Sequence, residues 1–215
     1  VNASTWALML TGRLVRLHGE IGHGLAASFR RLMARVGEPM VTEAVTQAMR
    51  ILGRQFVMAR TIEQAIARAR PLQGQGWRFS YDMLGESART MDDAERYAAS
   101  YAGAIAAVGA AAAGSGDVHT APGISVKLSA LHPRFEEAQL GRVRSELVPR
   151  VRELACAAAA AGIGLTIDAE ESERLAPTLD VIAAVAGDPA LAGWEGLGAV
   201  VQTYLRAAPC VINHL

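Results

Sequence analysis

The chain has 215 residues, 51% of them hydrophobic, with 21 basic and 21 acidic side chains and no net charge at pH 7. Such a length and apolar fraction suit one or two folded domains and exclude a disordered chain. The cancelled charge gives no broad electrostatic footprint for nucleic acid, and no run approaches the ~18 apolar residues of a membrane span.

Residues 1–70 read as helices. The opening "VNASTWALMLTGRLVRL" is apolar but has no basic n-region or small-residue cleavage site, so it does not read as a secretion signal. It also lacks an initiator methionine, and "RAAPCVINHL" stops in an apolar segment, so both termini read as edges of a longer chain. "PMVTEAVTQAMRIL" sets Val41, Ala44, Val45, Ala48, Met49 and Leu52 on one helical stripe, with Gly53 expected to break it. "TIEQAIARAR" then opens with Thr61 and Gln64 in capping-box spacing.

From residue 77 the period changes. "WRFSYDML" reads as a strand, Thr90 with Asp93 starts an alanine-rich helix over about 91–113, and "ISVKLS" is a second strand. A helical pattern fills about 135–161, "IGLTIDAE" is a third strand, Ser172 to about Ala186 another helix, and "LGAVVQTY" a fourth strand. Repeated βα units predict a parallel sheet. No G-x-G-x-x-G follows the first strand, which weakens a dinucleotide-binding reading. The expected fold is therefore α/β: an incomplete (β/α)8 TIM-type barrel of about four βα units over 71–215, preceded by a helical arm over 1–70.

A barrel gathers its chemistry at the carboxyl ends of its strands. The polar residues there are Asp82, Lys127, Asp168 and Gln202, one from each successive strand. A strand-end lysine is usually solvated, so Lys127 alone proves little. Glu170 and Glu171 in "DAEES" read better as helix-start residues favoured by the dipole than as site residues. Asp168 ends the strand itself and is harder to dismiss, whereas Gln202 could merely satisfy a backbone group. His132 reads as a structural loop histidine, and His18 and His23, five apart, do not make a metal pair, so no metal is expected. Cys156 and Cys210 are expected to be reduced, buried thiols of a cytoplasmic protein.

Seven stretches now carry a resemblance: "NASTWALMLTGRLV", "GEPMV", "AMRILGRQFV", "FSYDMLGE", "GISVKLSALHPR", "IDAEESERL" and "GWEGLGAVVQTY". In this order and spacing the chain resembles, over essentially its whole length, the proline dehydrogenase domain of the bacterial proline utilization A flavoenzymes. The resemblance implies a distorted barrel with FAD at its mouth, oxidising L-proline to Δ1-pyrroline-5-carboxylate and passing electrons to a membrane quinone. It implies Lys127 as the cation for the proline carboxylate and Asp168 as the acidic residue beside flavin and substrate. Gln202 corresponds to a glutamine on the isoalloxazine ring, and Asp82 to a first-strand carboxylate near the lysine.

In full-length members a second, NAD-dependent domain oxidises L-glutamate γ-semialdehyde. The resemblance therefore implies a bifunctional, homo-oligomeric cytoplasmic parent with peripheral inner-membrane association. The family's later-strand arginines and ADP-binding residues have no counterpart in these residues, so the segment alone is expected to bind FAD poorly and be inactive. The amino-terminal DNA-binding module of some members is expected to lie outside it, leaving no nucleic-acid partner through this segment. Two competing readings are a Schiff-base lyase or aldolase with Lys127 as nucleophile, and a non-catalytic helical scaffold.

Overall fold

A computed structural model of the chain describes residues 56–113, 115 and 117–215, with positions 43, 45–47, 49, 51 and 53 before them. The chain divides into two compact units, Val1–Arg60 and Thr61–Leu215. In the first, Val41, Ala44, Ala48 and Leu52 of the expected stripe lie outside the described residues, while Val45 and Met49 are helical and exposed. Gly53 does not break the helix. It is itself helical, and its carbonyl accepts the Val57 N–H at 2.7 Å. A single glycine costs a helix only about 1 kcal/mol relative to alanine, which its neighbours can offset.

The second unit opens with α1, Ile62–Gln73, whose N-cap Thr61 accepts the Gln64 N–H. Then come β1 (Ser80–Asp82), α2 (Met91–Ala112), β2 (Gly123–Val126), α3 (Val148–Ala160), β3 (Leu165–Ile167), α4 (Leu175–Ala186), β4 (Leu197–Ala199) and α5 (Ala208–His214). Thr90 caps α2 in a full reciprocal box with Asp93, satisfying backbone donors that the first turn leaves orphaned. Below the cap, Ala94, Tyr101, Ala104, Ile105, Val108 and Ala112 recur at helical spacing and are buried.

The pattern over 135–161 is not one helix. It contains a 3-10 turn (Glu137–Gln139), a short α segment (Leu140–Arg142) and a π segment (Val143–Leu147) before α3. Pro149, in the first turn of α3, supplies the reason. It cannot donate to the carbonyl four residues back, and its ring crowds that carbonyl, so the preceding turn widens.

The four strands lie parallel in the order β1-β2-β3-β4. The helices α2, α3 and α4 each lie in the crossover between successive strands, the arrangement of a (β/α)8 barrel's first four units. The register places Tyr81, Ile124, Leu165 and Leu197 on one rung, and Asp82, Ser125, Thr166 and Gly198 on the next. Side chains alternate, so the two rungs face opposite sides of the sheet. Tyr81, Ile124, Val126, Leu165 and Ile167 are buried, whereas Asp82 and Thr166 are not. Every strand is shorter than the sequence suggests: three residues in β1, β3 and β4 and four in β2.

Cys156 and Cys210 are unpaired, as expected, but neither is buried: Cys156 is intermediate and Cys210 exposed. Among the described residues no helix is long and apolar enough to cross a membrane.

Candidate functional site

Asp82 is the last residue of β1, while Lys127 and Asp168 each lie one residue past β2 and β3. Their meeting follows from register. Lys127 stands above Ser125 and Asp168 above Thr166, on the same face as Asp82. The parallel pairing continues through this level, where the Asp168 N–H donates to the Val126 carbonyl at 2.9 Å. Lys127 Nζ donates to Asp82 Oδ1 and Oδ2 at 3.1 and 2.9 Å and to Asp168 Oδ2 at 2.5 Å.

The three groups differ in their access to water. The Lys127 side chain is 17% exposed, Asp168 23% and Asp82 48%. Burial alone would pull the lysine ammonium down. The hydrogen bonds and charges of Asp168 and Asp82 more than offset that, holding it above the usual lysine value. Asp168 Oδ1 is already occupied by its own neighbour, accepting the Ala169 N–H at 3.0 Å. Lys127 is also the chain's single lysine; every other basic side chain is arginine. That compositional singularity was readable in the sequence and is a sharper signal than its strand-end position.

Gln202 is not part of this triad. It lies three residues past β4 and donates from Nε2 to the Glu170 carbonyl at 3.2 Å, two residues beyond Asp168. Glu171 behaves as a surface residue paired with Arg174. Glu170 does not: its side chain is 7% exposed, bonded to Arg174 Nη1 at 2.9 Å and to the Ser129 N–H at 2.9 Å. Reading it as a helix-start charge missed a buried carboxylate, because sequence reveals a residue's charge but not its burial.

His132 is structural, as its loop setting suggested. Its buried ring accepts the Arg134 N–H at Nδ1, so Nε2 carries the proton donated to Glu146 at 3.0 Å. Among the described residues no three His, Cys, Asp or Glu side chains cluster as metal ligands would.

Parallel βα units with polar groups converging at the strands' carboxyl ends are the arrangement in which (β/α)8 barrels place their sites. The chain belongs to the proline dehydrogenase family, whose model matches residues 65–215. A second family model, the DNA-binding domain of proline dehydrogenase, matches residues 1–56. This corrects the expectation that such a module lies outside the segment, and removes the ground for excluding a nucleic-acid partner.

The bifunctional protein PutA of Salmonella typhimurium is 49% identical over all 215 residues, and that of Escherichia coli 48%. The chain spans only 16% of the length of each. A crystal structure of a point mutant of Bradyrhizobium japonicum proline utilization A matches at TM-score 0.69 and 51% identity, over 86% of this chain and 19% of that one. The Bdellovibrio bacteriovorus protein inactivated by N-propargylglycine matches at TM-score 0.74 over 81% of this chain and 19% of that one; at 19% identity it shows the fold alone.

Proposed function

We propose that the chain contributes the lysine-bearing part of an FAD-dependent L-proline dehydrogenase. Its parent oxidises L-proline to Δ1-pyrroline-5-carboxylate and passes the electrons to a membrane quinone. The same bifunctional parent, a homo-oligomer associating peripherally with the inner membrane, carries an NAD-dependent L-glutamate γ-semialdehyde dehydrogenase. In this reading residues 1–70 form a helical arm that includes DNA-binding sequence, and 71–215 form the first half of the barrel.

The observation that carries the reading is the single lysine held charged between two carboxylates at the strand ends. This alternation of negative, positive and negative groups complements a zwitterion. The substrate carboxylate meets the ammonium, and the substrate nitrogen meets a carboxylate. An ammonium has three protons to donate, and the two oxygens of Asp82 with Oδ2 of Asp168 occupy all three. An arriving carboxylate must therefore replace one partner. Asp82, half exposed, yields first, whereas Asp168 is pinned through Ala169.

The residues present fit a flavin. Gln202 gives one Nε2 proton to the Glu170 carbonyl, which leaves its amide oxygen and its second N–H for a flavin ring, without adding charge. Asp168 borders the same segment. FAD, when bound, supplies the hydride acceptor; the protein supplies orientation and electrostatics. A Schiff-base role for Lys127 is disfavoured, because a nucleophilic amine needs a lowered pKa and this one is raised.

The test uses the full-length parent. Lys127→Ala abolishes proline-dependent dye reduction while FAD, followed by its absorbance, stays bound. Activity surviving the substitution would defeat the proposal, as would a borohydride-trapped adduct on Lys127 with a carbonyl substrate.

A further inference from the structure

Lys127 has two neighbours that touch its main chain rather than its charge. From the helix layer, the Tyr101 hydroxyl accepts the Lys127 backbone N–H at 3.2 Å. From the loop after β3, the Glu170 carboxylate accepts the backbone N–H of Ser129, two residues on, at 2.9 Å. Both partners are buried: Tyr101 is 2% exposed and the Glu170 side chain 7%. Burial pushes the Tyr101 phenol up, so it keeps its proton through the neutral range.

β2 ends at Val126, and the chain turns at Lys127 into a four-residue helix, Leu128–Leu131, whose start has no side-chain cap of its own. Two of the donors exposed there are met by residues from other elements. Glu170 is held in turn by Arg174, whose guanidinium also lies 5.8 Å from the centre of the Phe135 ring. Ser129 passes the constraint to the first strand's loop: its Oγ and carbonyl accept the N–H groups of Ser87 and Ala88 at 3.1 and 2.8 Å. The loop that follows Asp82 and the turn that carries Lys127 are thus fastened together from the side of β3.

We propose that Tyr101 and Glu170 are positioning residues for substrate binding, fixing the Lys127 main chain so that its ammonium meets the substrate carboxylate between Asp82 and Asp168. The inference rests on the proline dehydrogenase reading above. It assigns the buried carboxylate of Glu170 a role separate from its main-chain carbonyl, which serves Gln202.

The separation makes the test specific. In the FAD-loaded full-length protein, Tyr101→Phe removes one oxygen and leaves the packing of the ring intact. Because an ångström of misplacement can cost up to about a hundredfold in activity, KM for L-proline is expected to rise about tenfold, with kcat within about threefold of wild type. Glu170→Ala is expected to do the same or more, and Glu170→Gln, which keeps an acceptor for Ser129, to recover most of the loss. The flavin absorbance spectrum stays unchanged in all three, since the carbonyl that engages Gln202 remains. A purely structural role would instead lower the melting temperature with KM unmoved, and that result in Tyr101→Phe overturns the inference even if the Glu170 variants fail to fold. Wild-type protein that does not reduce its flavin with proline would sink the underlying reading instead, so the two failures are distinguishable.

Discussion

Lys127 occupies the one position where this chain uses an ammonium instead of a guanidinium. A guanidinium is planar and presents its donors in a fixed fork, whereas an ammonium is a compact charge that can turn toward three partners. Lys127→Arg in the full-length protein is accordingly expected to fold but to bind proline poorly, with KM at least about tenfold higher; an unchanged KM would mean that the site needs only positive charge. A different residue, Glu146, contributes to acid stability. Hydrogen bonds first from Arg142 and then from His132 hold the Glu146 carboxyl down at about 2, against its ordinary 4.5. A lowered carboxyl pKa contributes stability that is complete above the unfolded value and is lost as pH falls toward the folded one. The urea midpoint of wild type should therefore converge on that of Glu146→Gln between pH 4.5 and about 2, and the gap should be constant above that window. Of the site, Asp82, Lys127 and Asp168 were legible because each follows apolar residues at a strand end. Tyr101 was not, since it lies in mid-helix and its hydroxyl reaches Lys127 across 26 positions of chain.

Helices and strands were legible wherever one period ran without interruption. The α2 cap was visible as Thr90 and Asp93, and Thr90→Ala should cost about 1 kcal/mol, read as a lowered denaturant midpoint with unchanged slope. The π segment was invisible. Apolar spacing alone cannot tell 3.6 from a locally wider turn, and Pro149 reads from sequence as an ordinary first-turn proline. The β1–α2 connection was also opaque, because its geometry depends on what packs above it. Gly85 has φ of 143°, and a Cβ there would lie 2.4 Å from Cε1 of Tyr97. Gly85→Ala is thus expected to destabilise by about 1–3 kcal/mol through the backbone alone. It should also disturb the Ser87 and Ala88 bonds to Ser129, so its KM for proline should rise along with its loss of stability.

At the scale of the whole chain, a zero net charge concealed a division. Residues 1–56 carry seven arginines against three glutamates, so the remaining residues are acidic by compensation. Averaging over both units hides this local basic excess, and local excess rather than total charge is what a nucleic-acid contact draws on. The boundary between the two family matches, residues 1–56 and 65–215, falls near the division of the chain at Arg60 and Thr61. If the first unit contributes DNA-binding sequence and the second the proline site, as proposed, the two should be separable by substitution. Replacing Arg13, Arg16, Arg30 and Arg31 with glutamine in the full-length protein is expected to weaken retention of duplex DNA at least about tenfold. Each lost phosphate contact should also make the dependence of log affinity on log salt shallower by about 0.9. Proline-dependent dye reduction should stay within about twofold of wild type, because the groups proposed to carry it, Lys127, Asp82 and Asp168, all lie in the second unit. Unchanged DNA retention and salt slope would show that the arginine excess is not what the nucleic acid meets. A parallel loss of dye reduction would show that the two units do not act independently.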